Sequence, residues 1–180
     1  VTAEILLELI DLLVKEDINH LDEINQLTSE IDYKRLRPYH TTILVKNQTG
    51  LKNLYKLVSK AHINNFHRVP RILKSDLLEK REGLLIGSAC EAGQLYKAVL
   101  NGKPDNELLE LAKFYDYLEV QPIGNNKFLL AKEEVKSLEE LRDINRKIYE
   151  LGEKLKMPVV AAGDVHFLDP KDSIYRQVLM

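Results

Sequence analysis

Apolar residues recur at helical spacing along the first sixteen residues of the chain, which predicts an amphipathic helix there. The apolar stripe consists of Ile5, Leu6, Leu9, Leu12 and Leu13. We expect a short second helix and a linker to follow. Pro38 cannot continue a helix, and the residue before a proline is biased toward extended backbone. We therefore predict a domain boundary near residue 35, which separates residues 1–34 from residues 35–180.

Beyond this boundary, short apolar or β-branched runs alternate with segments of helical spacing. The predicted strands are 41–45, 83–87, 117–121 and 158–162. One predicted helix begins at residues 47–49, and two others cover residues 91–100 and 105–115. A fourth begins at the capping box of Ser137 and Glu140 and runs to Leu155. Apolar strands separated by helices predict a parallel sheet covered by helices, either an open α/β sheet or a barrel.

The composition is that of a globular protein, with 44% hydrophobic residues in 180. A single cysteine excludes a disulfide framework within the chain. No run approaches about 18 consecutive apolar residues, so we expect no membrane span and no secretory signal, and we predict a cytoplasmic location.

Charge is distributed unevenly along the chain. Residues 34–81 hold twelve Lys or Arg but only two acidic residues, Asp76 and Glu79, so this segment carries +10 in a chain of net charge −2. Such a segment could face a polyanion such as nucleic acid. The alternative is a solvated surface that neutralises acidic neighbours in the fold.

Asp164 and His166 follow the last predicted strand and are two residues apart. In extended chain these side chains point to the same face, at the end of a strand where sites occur in α/β folds. Carboxylate and imidazole together suit a divalent metal such as Zn²⁺ or Mn²⁺. The alternative is a surface loop in which Asp164 caps the turn.

Cys90 lies where the strand 83–87 passes into the next predicted helix. A helix N-terminus lowers the pKa of a thiol, so a thiolate there could bind a soft metal or act as a nucleophile. An inert packing role is the alternative. His40 precedes a strand and could reach a central site, whereas hydrogen bonding or solvation explains His62 and His67 better than ligation.

Six sequence blocks together resemble the PHP domain of the bacterial replicative DNA polymerase III alpha subunits of the PolC type. The blocks are PYHTTILVKN (38–47), GLKNLYKL (50–57), PRI (70–72), GSACEAG (87–93), YLEVQP (117–122) and GDVHFLDP (163–170). In such chains a 3′–5′ exonuclease domain interrupts the PHP domain, and VTAEILL at residues 1–7 resembles the helix that closes the exonuclease.

The resemblance implies a distorted (β/α)₇ TIM-like barrel of PHP type, of which this chain holds a part. Residues 1–34 would be the C-terminal helices of the exonuclease with a linker, and residues 35–180 the second part of the PHP domain. The implied metal ligands are His40, Cys90, Asp164 and His166, with Zn²⁺ or Mn²⁺ at the PHP site. Glu119 falls in a matching block, but we assign it no ligand role.

The implied function is that of a replicative DNA-directed DNA polymerase with an associated exonuclease, which requires Mg²⁺ and works on a DNA template-primer. The implied partners are the remaining polymerase domains and replisome subunits, and no membrane. No catalytic residue of the polymerase or exonuclease falls in this segment, which we expect to be inactive by itself. One alternative is an autonomous PHP-type metal-dependent phosphoesterase. The other is a cysteine hydrolase that uses Cys90 with His40 or His166 as base.

Overall fold

A computed structural model of the chain describes residues 2–18, 20, 23, 36–163 and 165–179. The chain divides into two compact units, residues 1–37 and residues 38–180. The first unit contains helix α1 (Thr2–Lys15), which confirms the helix predicted from the apolar stripe. The predicted second helix, the linker and the boundary near residue 35 fall mainly outside the described residues and stay predictions.

The second unit is a mixed α/β domain. Its strands are β1 (Thr42–Val45), β2 (Phe66–His67), β3 (Val69–Pro70), β4 (Leu84–Gly87), β5 (Leu118–Val120) and β6 (Val159–Ala161). Its α-helices are α2 (Gln48–Ile63), α3 (Lys74–Glu79), α4 (Gln94–Leu100), α5 (Asp105–Ala112), α6 (Phe128–Ala131), α7 (Leu138–Leu155) and α8 (Ser173–Leu179). Short 3₁₀ helices cover Ile123–Asn126 and Pro170–Asp172.

The strands are not all parallel. β5 and β6 pair in parallel, and a single parallel bridge between Gly87 and Tyr117 links β4 to the start of β5. β1, however, pairs antiparallel with β4, with Thr42 opposite Gly87 and Val45 opposite Leu84. The expectation of a parallel sheet is therefore wrong for β1. A β-branched or apolar run predicts a strand but not the direction of that strand. The connection from β1 to β4 is long enough to return the chain either way.

Helices α2 and α7 begin where the sequence predicted, at residues 47–49 and at Ser137. The side chain of Asn47 accepts a hydrogen bond from the Gly50 N–H at the start of α2 (2.9 Å). At the start of α7, the Ser137 hydroxyl accepts one from the Glu140 N–H (3.2 Å). The Glu140 carboxylate bonds to the Lys136 N–H rather than to that of Ser137, so the predicted capping box is formed on one side only.

Two other helix boundaries differ from the predictions. The helix expected over residues 91–100 begins only at Gln94, and that expected over 105–115 ends at Ala112. The region between β1 and β4 also contains the β2–β3 hairpin, which turns at Arg68 in a left-handed conformation (φ +62°).

The described residues of the second unit form a hydrophobic core. Its most completely buried side chains are Leu57, Ile86, Leu95, Leu108, Leu118, Leu129, Leu141, Ile148 and Leu151. Because β4 and β5 contribute Ile86 and Leu118, the segment that follows β4 and the end of β5 are held against this core. None of the described helices combines the length and the apolar composition needed to cross a membrane.

Candidate metal centre

His40 and Cys90, fifty residues apart in the sequence, contact each other in the structure. The His40 Nδ1 atom lies 3.3 Å from the Cys90 Sγ atom. The His40 side chain is exposed and that of Cys90 is half-buried, so solvent and solutes can reach the pair. An imidazole and a thiol at this distance can share a proton or bind one metal ion.

Backbone contacts hold the two residues together. The His40 N–H donates to the carbonyl oxygen of Ala92 (3.1 Å), and His40 forms a parallel bridge with Gly93. The Gly93 N–H in turn donates to the Cys90 carbonyl (2.8 Å). A Cβ at Gly93 would overlap the carbonyl oxygen of Ser88, so only glycine allows this close approach. The turn between β4 and α4 is therefore fixed against the segment that carries His40.

The position of Cys90 relative to α4 differs from the sequence prediction. Helix α4 begins at Gln94, with Gly93 at its N-cap, so Cys90 lies in the preceding turn. The N-terminal partial charge of a helix falls off within its first turn, so the expected stabilisation of a thiolate by the helix is not supported. The structure instead places the imidazole of His40 in contact with the thiol.

Glu119 provides a second link between this turn and strand β5. Its carboxylate accepts a hydrogen bond from the Ala89 N–H (3.1 Å), and its own N–H donates to the Ser88 hydroxyl (2.8 Å). Both bonds are buried, and Glu119 is only 9% exposed. Ala89 has a left-handed conformation (φ +59°), which costs a non-glycine residue about 1–2 kcal/mol. The two bonds hold the strained residue that immediately precedes Cys90.

The carboxylate of Glu119 also contacts the hydroxyl of Tyr117. Burial, followed by the negative charge of Glu119, raises the pKa of Tyr117, so its hydroxyl stays protonated and donates to the carboxylate. A Cβ on Gly87 would overlap both side chains, which explains the glycine at the end of β4. Sequence reasoning missed this role of Glu119. The available signal was an acidic residue between Leu118 and Val120 in a strand that is buried throughout.

The other two predicted ligands belong to the segment after β6. Asp164 lies outside the described residues. His166 is exposed, and the Gly163 carbonyl before it accepts a hydrogen bond from the Asn125 side chain (2.8 Å). Among the described side chains, no three histidine, cysteine or acidic groups are arranged to hold a metal ion, so His166 does not complete a set with His40 and Cys90. The four-ligand set stays a prediction.

The His40–Cys90 pair nevertheless fits two positions of a metal site. Zinc bond lengths place a sulfur and a nitrogen ligand of one tetrahedral ion about 3.5 Å apart. The observed separation of 3.3 Å is close to this value. Soft thiolate and imidazole donors are typical of zinc sites, so the chemistry of the pair is also suitable.

A polar pocket of about 270 Å³ lies next to the turn that carries Cys90. Its lining residues are Tyr39, Gln94, Lys97, Ala98, Asn101, Lys103, Glu107 and Leu111. Lys97 pairs with Glu134 (3.2 Å) and Lys103 with Glu107 (2.8 Å). These acidic partners neutralise the two lysines, so the pocket does not concentrate positive charge for an anionic ligand.

Part of the basic segment is neutralised within the fold. Lys60 pairs with Asp76 (2.7 Å), Arg81 pairs with Asp116 (3.0 Å), and the ammonium of Lys74 lies 4.2 Å from the ring centre of Phe114. The alternative of a surface that neutralises acidic neighbours is therefore correct for Lys60 and Arg81, whereas Lys74 contacts an uncharged ring. Lys52, Lys56 and Arg68 remain exposed, and the described part of the chain offers them no acidic partner. His62, as expected, is explained by a hydrogen bond between its Nδ1 atom and the Val58 carbonyl (2.8 Å).

Comparison with known families now identifies the class of protein. The model of the PHP domain matches residues 12–129, more than half of the chain, and the chain belongs to this family. The chain is similar to DNA polymerase III PolC-type of Clostridium perfringens (60% identity over 165 residues), Thermotoga maritima (50% over 180) and Bacillus subtilis (47% over 180). These alignments cover 91%, 100% and 99% of this chain but only 11%, 13% and 12% of the respective relatives. The chain therefore corresponds to a PHP segment of much longer polymerases.

Proposed function

We propose that this chain is a metal-binding PHP segment of a PolC-type DNA polymerase III, in which His40 and Cys90 bind the same divalent cation. The contact of 3.3 Å between His40 Nδ1 and Cys90 Sγ supports the proposal most directly. Asp164 and His166 would provide further ligands from the segment after β6. A thiolate ligand favours Zn²⁺ over Mn²⁺, because manganese prefers oxygen donors.

The parent protein would be a replicative DNA-directed DNA polymerase with an associated 3′–5′ exonuclease. The identity of 47–60% to PolC-type relatives supports this assignment. Strands β1, β4, β5 and β6 would belong to a distorted TIM-like barrel that other parts of the polypeptide complete. DNA synthesis itself, with its Mg²⁺ ions and its contacts to the template-primer, would take place on domains outside this segment.

A cation at this position would act as a Lewis acid toward a phosphate oxygen or a water molecule. The residues of this chain would orient it: the backbone bond from His40 to Ala92 fixes the imidazole, and the Ser88–Gly93 turn fixes the thiol. The alternative of a cysteine hydrolase needs the same contact, with His40 removing the thiol proton. Membership of the PHP family favours the metal site.

The test is the metal content of the full-length protein after dialysis, measured by inductively coupled plasma mass spectrometry. We expect Cys90→Ser and His40→Ala to lose bound zinc. His62→Gln is the matched control, because His62 is another exposed histidine whose hydrogen bond in the described part of the chain goes to its own helix. An unchanged zinc content in both site variants would contradict the metal centre. Loss of thiol acylation by an activated ester in Cys90→Ser, without any change in metal, would support the hydrolase instead.

We further propose that the outer surface of α2 contacts the phosphate backbone of DNA. Residues 46–75 contain no acidic residue. Lys52, Tyr55 and Lys56 lie on one exposed stripe of α2, and Arg68 is exposed at the tip of the hairpin. Lysine and arginine neutralise phosphates, and an exposed aromatic ring can stack on an unpaired base.

The salt dependence of DNA binding by the full-length protein tests this second proposal. Replacing Lys52, Lys56 and Arg68 by Gln should reduce the slope of log K against log salt by about 0.9 for each phosphate that the protein no longer neutralises. Glutamine at Lys103, Lys113 and Lys154, which all pair with acids of this chain, is the control with the same change of charge. Equal slopes in the two triple variants would assign the α2 lysines to a solvated surface.

A further inference from the structure

The carboxylate of Glu119 is placed where it can determine the position of the Cys90 thiol. It accepts a hydrogen bond from the N–H of Ala89, the residue directly before Cys90 (3.1 Å). Ala89 is buried and left-handed, a conformation that a non-glycine residue keeps only when its surroundings hold it. Without this bond the turn can relax, and the thiol would then move away from His40.

Three further contacts hold Glu119 in place, one of them made directly to its carboxylate. The N–H of Glu119 donates to the Ser88 hydroxyl (2.8 Å), so the main chain and the side chain of one residue hold consecutive residues of the turn. The Tyr117 hydroxyl donates to the carboxylate, and Thr42 on β1 bonds to the same hydroxyl. The contacts therefore run from β1 through β5 to the turn that carries Cys90.

We infer that Glu119 is a positioning residue for the metal centre, which holds Ala89 and thereby keeps the Cys90 thiol against His40. The inference rests on the proposed metal centre, for which it names a determinant of affinity. Groups that orient a metal ligand typically contribute a factor of about 10–100 to metal affinity. Glu119 would do so through the backbone, since its carboxylate is already engaged by Ala89 and Tyr117 and is not a ligand itself.

The first experiment measures Co²⁺ affinity in the full-length protein, from the thiolate-to-cobalt charge-transfer absorption that Cys90→Ser abolishes. Glu119→Gln keeps nearly the same shape but replaces one carboxylate oxygen, which can accept a hydrogen bond, by an NH₂ group, which cannot. We therefore expect the Co²⁺ affinity to fall about 10–100-fold. Tyr117→Phe keeps the carboxylate and removes only its hydroxyl neighbour, so its loss should be smaller.

Asp116→Asn is the matched control for these variants. The Asp116 carboxylate also accepts a buried-strand N–H, that of Ile86 (2.7 Å), but it holds the middle of β4 and not the turn. Because Asp116 also pairs with Arg81, Asp116→Asn lowers the melting temperature through this ion pair as well. A merely structural role of Glu119 predicts that both variants lower the melting temperature and leave cobalt affinity unchanged. Wild-type affinity in Glu119→Gln would overturn the inference.

A second experiment separates failure of the inference from failure of the metal centre. In metal-free protein, the rate at which iodoacetamide alkylates Cys90 is measured by mass spectrometry of the peptide that contains it. His40→Ala gives the effect of removing the imidazole. Glu119→Gln should change the rate in the same direction, and the double variant should match His40→Ala alone, because both changes break the same interaction.

Each outcome of the two experiments decides one statement. If wild-type protein binds no cobalt, the proposal of a metal centre is wrong. The alkylation rates of the single and double variants then still decide whether Glu119 positions the thiol. If the alkylation effects of Glu119→Gln and His40→Ala add, or if Glu119→Gln has none, then Glu119 does not position the thiol and the inference is wrong.

Discussion

The hydroxyl of Ser88 accepts a hydrogen bond of 2.8 Å from the backbone N–H of Glu119, and this bond joins the turn after β4 to strand β5. Ser88 is 2% exposed and Glu119 is 9% exposed, so water does not readily replace the hydroxyl if it is removed. A buried donor left without its acceptor is costly, whereas an exposed one is not. This contrast leads to the first prediction.

Ser88→Ala should lower the free energy of unfolding by about 1–3 kcal/mol, because it leaves the Glu119 N–H buried and unsatisfied. Urea denaturation followed by circular dichroism measures the change. Ser59→Ala on the exposed surface of α2 is the control, and it should stay within about 0.5 kcal/mol of wild type. Equal effects of the two substitutions would show that the Ser88 bond contributes nothing.

Gly50 on α2 allows the helix to pack against the backbone at Gly83. A Cβ at position 50 would overlap the Gly83 carbonyl, so Gly50→Ala should destabilise the protein by about 1–3 kcal/mol through overpacking, despite the better helix propensity of alanine. Gly124→Ala is the control, since nothing lies within 4 Å of the added methyl group. Guanidinium denaturation of both variants tests the difference, and a Gly50→Ala protein as stable as Gly124→Ala would contradict the packing.

Asp105, at the start of α5, bonds to Lys147 (2.6 Å) and Lys154 (3.0 Å) on α7. These two lysines lower the pKa of Asp105. Because the pKa is lower in the folded state, the stabilisation is present above the ordinary aspartate pKa and is lost as the pH falls through the folded value. The stability difference between wild type and Asp105→Asn should therefore be largest near neutral pH, shrink on acidification and diminish in high salt. A difference independent of pH would argue against the two ion pairs.

Tyr115 titrates at the alkaline end of the range. Burial raises its pKa to about 12 from the ordinary tyrosine value of 10.0. The folded state therefore holds the phenolic proton more tightly, and this contribution to stability is lost as the pH rises from the unfolded value through the folded one. When the pH is raised from neutral to about one unit above the ordinary tyrosine pKa, the melting temperature of Tyr115→Phe should fall less than that of wild type. Thermal melts at the two pH values measure this difference. Parallel losses in both proteins would indicate that the ring is accessible to water.

The sequence by itself determined most of the local structure and the identity of the family. Helical spacing of apolar residues predicted α1, the segment 47–49 predicted the start of α2, and the capping residue Ser137 predicted the start of α7. These features depend on residues close together in the chain, whose side chains and backbone interact locally. The block that contains Cys90 and the block that contains His40 indicated the family, which the match to the PHP domain confirms.

Only the tertiary structure decided how the elements meet. The antiparallel pairing of β1 with β4 depends on the path of a long connection, and neither strand's residues specify its direction. The contact of His40 with Cys90, and the role of Glu119 behind it, arise from segments that lie 50 and 30 residues apart. The sequence identifies the side chains that can bind a metal ion or carry a buried charge. The distances between these side chains are set only when packing of the core brings the strands together.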